Sequence, residues 1–434
     1  MRDFTIRPQN CGKYDLVVVG AGQAGCAAAL AGARGGLKVL LTEASGALGG
    51  AAVNCLVNPF MPNATTLKDS NGEERTVNLS QGMYREFSNA LNEDGIFAKA
   101  NTSAIFHEES LKVILDRKMA DAGVKVLFHA MLCGVKAENR LVKSVAVTTV
   151  GGVLSFDAEV FIDATGDATL AAFAGVPFHL GRASDSLCQP MTLCFRVCNI
   201  DVEAAWRSRR EINTVYAKLQ AEGKIKNPRE DVLVIPSRIP GMMHFNTTRI
   251  VKHNPTDAFS VSEAEALARE QVVEMFHFLK SHFAAFKNAA LASTAPSIGI
   301  RESRMIKARH VLTLKEIVGG THFNDGIAAG NYDIDIHSPD GAGTSHYIFP
   351  DGVYYTIPYR CLLPEALDNL LVAGRSIGAT HEAQASIRIM PICICLGEAA
   401  GTAAALARRI GVAPADVDTN ALRKLLRANG AFVG

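Results

Sequence analysis

The sequence predicts an α/β fold: a mostly parallel sheet flanked by helices, with an antiparallel meander and an inserted α+β domain. Three observations predict it. A continuous apolar run at residues 16–19 ends in Gly20 and leads into a helix of small residues. Two later apolar runs, at residues 159–162 and 369–373, also end in small-residue turns, Ala164-Thr165-Gly166-Asp167 and Gly374-Arg375. The chain between those runs has a different texture. Continuous apolar runs suit strands buried on both faces of a parallel sheet, whereas half-exposed strands alternate.

The first run is followed by a helix over residues 24–34 and a strand over 38–42. Apolar spacing then predicts a helix over 111–122 and a strand over 125–129. Between residues 132 and 156 the pattern shortens to VKSVAVTTV and VLSF, with turns at Glu138-Asn139-Arg140 and Gly151-Gly152, the signature of an antiparallel meander. The middle carries strand-like segments at 191–199 and 242–250 and helical patterns at 202–222 and 261–287. Residues 332–345, rich in Gly, Asp, Ser and Pro, read as loop. The chain closes on a long small-residue helix over 391–410. Strand–helix units at both ends imply a discontinuous first domain, residues 1–185 and 346–434, around a substrate domain at 186–345. No internal repeat or low-complexity tract is present.

A chain of 434 residues with 48% hydrophobic content can bury a large core without disulfides. Lys+Arg is 44 against 43 Asp+Glu, which favours neither nucleic acid nor an anionic membrane as a partner. The ten cysteines include no C-x-x-C pair and no iron–sulfur ligand run, so they read as reduced thiols of a cytoplasmic protein. Residues 1–14 are polar and lack the apolar core of a secretory leader, and no uninterrupted apolar run is expected to span a bilayer.

The segment YDLVVVGAGQAGCAAALAGARGGLKVLLTEA holds G-x-G-x-x-G at Gly20, Gly22 and Gly25 between a buried strand and a small-residue helix. This is the Rossmann-like context for a dinucleotide. Gly20 permits the tight turn, Gly22 the approach of a pyrophosphate, and Gly25 close helix–strand packing. The helix N-terminus offers unpaired N–H groups to phosphate. Glu43, ending the next strand, is placed for the ribose hydroxyls, and its charge opposes a 2′-phosphate. NAD and FAD share this half. The glycine pair Gly49-Gly50, the Thr165-Gly166-Asp167 turn and Gly374-Arg375 add further small-residue turns. Three strand ends meeting on one edge would cradle a cofactor longer than NAD, which points to FAD. A helix N-terminus near residues 390–392 would present positive dipole to a flavin.

The series GAGQAG, LLTEA, GALGG, FIDATGDATLAAFAGVPF, GIRESR, DIDIHSPDG and NLLVAGRSIGATHEAQASIRIMPICICLGEAAGTAAALA resembles the FAD-dependent oxidoreductase family. That family is related to glutathione-reductase-type flavoproteins and more closely to the succinate dehydrogenase/fumarate reductase flavoprotein branch. The resemblance implies bound FAD, an α/β FAD domain with an inserted substrate domain, and redox chemistry at the flavin. Carried over by position, it assigns Gly20, Gly22 and Gly25 to the pyrophosphate loop and Glu43 to the ribose. Gly49 and Gly50 match the second glycine turn, Thr165, Gly166 and Asp167 the middle motif, Gly374 and Arg375 the last. Residues 390–392, with Ile392, match the helix start near the flavin. No second G-x-G-x-x-G opens a βα unit, so electrons are expected from a substrate or a separate carrier that meets the flavin directly.

Flavin chemistry needs a group that moves a proton, and an anionic substrate needs Arg or His to hold it. Thr380, His381, Glu382, Gln384, Ser386 and Arg388 form the first candidate cluster, read as a loop. Arg388 is expected to contact cofactor, and His381 is the first choice for proton transfer. Arg301, Glu302 and Arg304 either clamp an anion or form ion pairs that tie the two domains. His337, Asp340, Asp333 and Asp335 match no strong metal motif and read as a lid or substrate rim. His244 and Asn246 share a face with Thr248, near Arg249; a satisfied face is the default and a substrate contact the alternative. Tyr354, Tyr355, Tyr359 and Arg360 surround Pro358; the tyrosines read as packing, with a substrate bond from one of them as the alternative, and Cys55 reads as a buried small residue or a point of covalent flavin attachment. Cys393 and Cys395 point to different helix faces. The expected function is hydride transfer between flavin N5 and a small carboxylate, hydroxy acid or sugar-like alcohol. The alternatives are a flavin monooxygenase or halogenase, an FAD-containing electron-transfer subunit, and a simple NAD-binding protein.

Overall fold

The computed structural model describes residues 7–68, 71–93, 97 and 104–434. The first six residues of the polar opening segment, read above as lacking a leader, lie outside them. Strand β1 (Gln9–Val19) leads into α1 (Gln23–Arg34) and β2 (Val39–Thr42). Helices α2 (Met83–Glu93) and α3 (Glu108–Asp121) precede β3 (Lys125–Leu127). The meander is β4 (Met131–Glu138), β5 (Leu141–Thr149) and β6 (Gly152–Asp163).

Strand β6 joins the parallel and antiparallel parts of one seven-stranded sheet. On one edge β1 runs parallel to it along most of its length, from Gln9 opposite Leu154 to Val19 opposite Asp163. The other partners are β5, antiparallel along its first half, and a late strand, parallel at its end with Val372 opposite Asp163. Three strand ends therefore stop at one level, and the glycine turns that follow them share one edge. Alternation along β1 sends Leu16 and Val18 into one core and Val17 and Val19 into another on the opposite face.

The middle of the chain forms an antiparallel sheet of β7 (Phe195–Cys198), β8 (Val234–Pro236), β9 (Met242–Phe245) and β10 (Ala290–Thr294), in the order β8-β9-β7-β10. Helices Arg209–Ala221 and α4 (Ala258–His282) cover one face of it. Its core runs from Met191 to Ile298 and includes the stacked pair Phe195 and Phe245 with Tyr216, Phe278 and Phe286. Leu312, Ile317, Ile327, Ala328 and Ile334, placed with the insert on sequence, pack instead on the first core beside Leu16.

Four local readings change. The helix expected over 202–222 is two, Val202–Arg207 and Arg209–Ala221, joined at Ser208. Helix α4 starts three residues earlier than expected because Asp257 caps it, accepting from Ser260 N–H. The segment read as loop at 332–345 contains a hairpin, β11 (Ile334–His337) with β12 (Thr344–Tyr347). Its alternation was masked by acids that face inward. After β13 (Leu370–Val372), residues 381–387 form α5 (His381–Ile387), capped by Thr380, rather than a loop.

Helix α6 (Met390–Ile410) is long and apolar enough to cross a membrane by length and composition, contrary to the sequence expectation. In this fold it is a core helix, buried over 89% of its most apolar window. It lies directly on α1. A Cβ at Gly397 or Gly401 would strike the carbonyl oxygen of Ala24 or Ala28, so only glycine allows the two backbones this contact.

One acid on α6 is buried at this junction. Glu398 is 3% exposed and accepts the N–H of Met83 at the start of α2 (2.9 Å). It borders a cavity of about 490 Å³ lined also by Arg34, Glu86 and Arg409. Burial, with Glu86 nearby, pushes its carboxyl up to about 7. Between the ordinary glutamate value of about 4.3 and 7, the unfolded chain gives up this proton before the folded one does. Stability should therefore fall as pH rises through that window, by on the order of 3 kcal/mol at most. Denaturant titrations across pH 4–8 check this: Glu398→Gln, which keeps the acceptor for Met83, should remove that part of the slope.

Candidate functional site

The glycine loop fits a dinucleotide by close backbone approach. A Cβ on Gly25 would run into the Gly20 carbonyl oxygen, so α1 can dock on β1 only with glycine there. Gly22, by contrast, has nothing nearer than 4.0 Å, and no side chain caps α1. That open position before a helix N-terminus with no side-chain cap is the geometry a phosphate would fit. The second glycine turn closes over the first: Gly49 N–H donates to Ala21 O (2.9 Å), and a Cβ on Gly50 would lie 2.6 Å from Gly22 Cα. Glu43 accepts the N–H groups of Ala21 and Ser45, both at 2.8 Å. A carboxylate has about four lone-pair sites, so two remain for ribose hydroxyls.

The turns after β6 and β13 interlock. Asp163 is buried and accepts from Thr165 N–H, Thr165 Oγ1 and Ala171 N–H, which shapes the Thr165-Gly166 turn. Arg375, after Gly374, lies against Gly166 and pairs with Asp167 at 2.7 Å, and its Nε is buried without a partner among the described residues. The N-terminus of α6 is uncapped, with Pro391 in its first turn, and the Ile392 side chain packs toward Gly330. These groups fit an extended nucleotide: Gly22, Gly49 and Gly50 at the phosphates, Glu43 at the ribose, and the first turn of α6 as a positive end. Bound FAD would supply a two-electron carrier whose reduced form a helix N-terminus stabilises.

Three clusters far apart in sequence meet beside α6. Glu302 is 1% exposed; it accepts Gln189 N–H (2.8 Å) and bonds His381 Nδ1 (2.8 Å). Nδ1 therefore carries the proton, and Nε2 of His381, without a partner among the described residues, is the free base position. Gln384 is fully buried; its amide donates to the Arg301 carbonyl and accepts from Gln189. Arg388 pairs with Asp335 at 3.1 Å, and its Nε is buried without a partner among the described residues.

The hairpin β11–β12 is held by Arg249, which is 1% exposed. Its guanidinium donates to the carbonyls of Gly341 and Gly343, to Thr344 Oγ1, to Glu230 and to His337 Nδ1. Arginine only donates, so His337 Nδ1 accepts, and Nε2 carries the proton toward Asp335 Oδ2 (3.3 Å). Burial and the Arg301 charge push His337 down to about 3. His337 is thus a neutral clamp. Burial would raise Asp335, but the His337 bond and the Arg388 charge hold its carboxyl well below the usual range.

Arg301 is the cation left over. It donates from one nitrogen to Pro190 O and Thr192 Oγ1 and has no carboxylate partner among the described residues. Burial and then Arg388 push its pKa down, as like charges do. Arg229 and Arg249 stand nearby with their own acids, Asp231 and Glu230. A guanidinium keeps its proton under this pressure, so Arg301 stays charged with no carboxylate in direct contact among the described residues.

Several candidates lie elsewhere. Arg301 and Arg304 form no joint clamp: Arg301 lies in the bend before the strand that Arg304 opens, and Arg304 bonds the Asp167 carbonyl (3.1 Å) and covers the Phe178 ring. Asp340 pairs with Arg182 and Asp333 with His346. Tyr355 bonds Ser386, Tyr359 bonds the Pro414 carbonyl, and Arg360 pairs with Asp325. Cys55 touches Ser297 and Ile298, and burial pushes its thiol up, the reverse of an activated nucleophile. Cys393 and Cys395 contact Arg388 O and Gln81 O respectively. Among the described residues, no group of three His, Cys, Asp or Glu side chains is placed to hold a metal. Sequence reasoning missed Gln189, which meets Glu302 and Gln384 far along the chain, and Glu230, which joins Thr344 of the hairpin as well as Arg249.

The loop geometry separates two glycines by experiment. Gly22→Ala should leave thermal stability of the FAD-free protein unchanged but weaken FAD binding by roughly 100-fold, as a methyl fills the phosphate approach. Gly25→Ala should lower stability itself, by about 2 kcal/mol or more. Melting curves with and without added FAD, and FAD fluorescence titration, check both.

A search of curated proteins finds no match. Solved structures align over nearly the whole chain at low identity. A geranylgeranyl bacteriochlorophyll reductase-like protein from Thermoplasma acidophilum is 13% identical over 96% of this chain and 84% of its own, with a TM-score of 0.47. p-Nitrophenol 4-monooxygenase from Pseudomonas putida is 11% identical over 95% and 83%, with a TM-score of 0.48. The myxobacterial chondrochloren halogenase is 14% identical over 96% and 79%, with a TM-score of 0.44. The family model described as FAD dependent oxidoreductase matches residues 15–426, from β1 through α7 (Thr419–Ala428). With the glycine loops and Glu43 arranged for the nucleotide, the chain belongs to the FAD-dependent oxidoreductase family and is an FAD-binding oxidoreductase.

Proposed function

We propose that this enzyme exchanges hydride with a small anionic substrate, a carboxylate or hydroxy acid, held by Arg301 and Arg388. The supporting observation is the unneutralised charge of Arg301 beside Arg388, with free donors on both. An anion there relieves like-charge repulsion and accepts charge-assisted hydrogen bonds. His381 takes or returns the substrate's proton at Nε2, its tautomer set by Glu302. Arg304 acts at a distance, through the Asp167 turn. A separate small carrier completes turnover. The motif resemblance to the succinate dehydrogenase/fumarate reductase branch supports a carboxylate. The aligned structures are named as a reductase-like protein, a monooxygenase and a halogenase, so reaction with oxygen is the other reading, and the same experiment decides between them.

The purified protein should show the two-band flavin spectrum and release FAD on acid precipitation. Anaerobic addition of small hydroxy acids should bleach the bound flavin. Arg301→Gln should weaken the active anion by roughly 10–100-fold with little change in flavin content. His381→Asn should lower the bleaching rate by about 100-fold or more. Flavin that resists every carboxylate, yet is reoxidised rapidly by oxygen with substrate hydroxylation once an external reductant is added, would establish the monooxygenase reading instead. Co-purification with a haem or iron–sulfur protein would favour an electron-transfer subunit.

A further inference from the structure

The sheet β8-β9-β7-β10 turns one face to its own core, with Phe195, Val197, Met243 and Phe245 inward. The alternate positions point the other way, toward the first domain. Arg196 and His244 are register partners on β7 and β9. Asn246 lies two residues beyond His244 and extends the ladder through its N–H to Leu233 O (3.2 Å). Directly opposed and alternate residues share one sheet face. Arg196 reaches across to the first turn of α3, where it bonds both carboxylate oxygens of Glu108.

Four buried polar atoms on this face have no partner among the described residues: both ring nitrogens of His244, Asn246 Oδ1 and Arg196 Nε. His244 is 3% exposed. Buried polar atoms in proteins are nearly always paired, and each orphan costs stability, so four together mark a place where something else completes the bonds. Their chemistry defines it. Glu108 neutralises Arg196, and burial followed by the Arg196 charge pushes His244 down to about 4, so its imidazole is neutral. The face then offers an Arg Nε–H and an imidazole N–H as donors, an imidazole nitrogen and an amide oxygen as acceptors, and no net charge. Hydroxyl groups match this set, because each donates once and accepts twice. A carboxylate would leave the acceptors unmet, and an ammonium the donors.

We propose that Arg196, His244 and Asn246 form a second polar subsite that binds hydroxyl groups of the substrate. The inference rests on the hydride-transfer reading above and narrows its substrate to a polyhydroxylated carboxylate. The two subsites share one segment: Arg301 bonds Thr192, and Arg196 is four residues on. Four residues of extended chain span about 13 Å. A six-carbon acid with hydrogen bonds at both ends matches that separation.

Isothermal titration of the FAD-loaded protein with gluconate, hexanoate and sorbitol tests this. Gluconate carries charge and hydroxyls, hexanoate charge alone, and sorbitol hydroxyls alone. Wild type should bind gluconate at least about tenfold tighter than hexanoate. That ratio should collapse to within about twofold in Asn246→Leu and in His244→Leu. Both changes remove an orphaned polar atom, so neither should lower the melting temperature. A ratio unchanged in both variants, equal affinities in wild type, or no binding of gluconate and sorbitol alike overturns the subsite. The anion anchor fails separately: Arg301→Gln would then bind hexanoate as well as wild type does, while sorbitol binding lost in Asn246→Leu would still support the hydroxyl subsite.

Discussion

The architecture depends on backbone-to-backbone contact at the N-terminal end of α1. There β1, the turn after β2, the turn after β6 and helix α6 come within distances that no Cβ tolerates. Gly25 against Gly20, Gly50 against Gly22, and Gly397 and Gly401 against the carbonyls of α1 are parts of one constraint. With those approaches made, the N–H groups that open α1 are left free where three strand ends stop together. The cofactor site follows from this packing. A helix N-terminus without a capping side chain is tolerable at the end of a parallel sheet when an anion satisfies it.

Charge bookkeeping organises the second region. Where the insert, the hairpin and α5 meet, nearly every arginine has its own acid: Arg196 with Glu108, Arg229 with Asp231, Arg249 with Glu230, Arg388 with Asp335. Two of these pairs, Arg196 with Glu108 and Arg388 with Asp335, join segments far apart in sequence. They are costly to desolvate and stand only with well-formed hydrogen bonds. Arg301 breaks the pattern, and so does the orphaned face of β9. Unmet charge and unmet hydrogen bonds beside a cofactor domain indicate where a substrate completes the structure.

Much of this was legible in the sequence, for definite reasons. The glycine loop, Glu43 and the meander are local in sequence, and their side-chain periods and turn residues report the backbone directly. Boundaries were less legible. In the run DIDIH, Asp335 and His337 masked a strand because they face buried arginines rather than solvent, and alternation reports a strand only when one face is wet. Helix α5 was read as loop because seven residues give too short a period to recognise, although Thr380 supplied a cap signal. Helix α6 escaped notice as a bilayer-length segment because Glu398 interrupts it, and burial keeps that acid in the core.

The sequence alone determined that the chain folds around a dinucleotide, and the order of its later motifs, with the family they resemble, pointed to FAD. The dinucleotide loop rests on glycine spacing, a strand end and a terminal acid, short-range features with steric or electrostatic reasons that need no knowledge of the fold. Only the tertiary structure decided which polar residues stand together. It joined His381 to Glu302, separated Arg301 from Arg304, and left Arg301 without an acid. It also showed that His337 is a neutral clamp and that both ring nitrogens of His244 lack a partner among the described residues. Whether a buried polar group is satisfied depends on partners that loop closure brings from up to hundreds of residues away, and no local pattern records them.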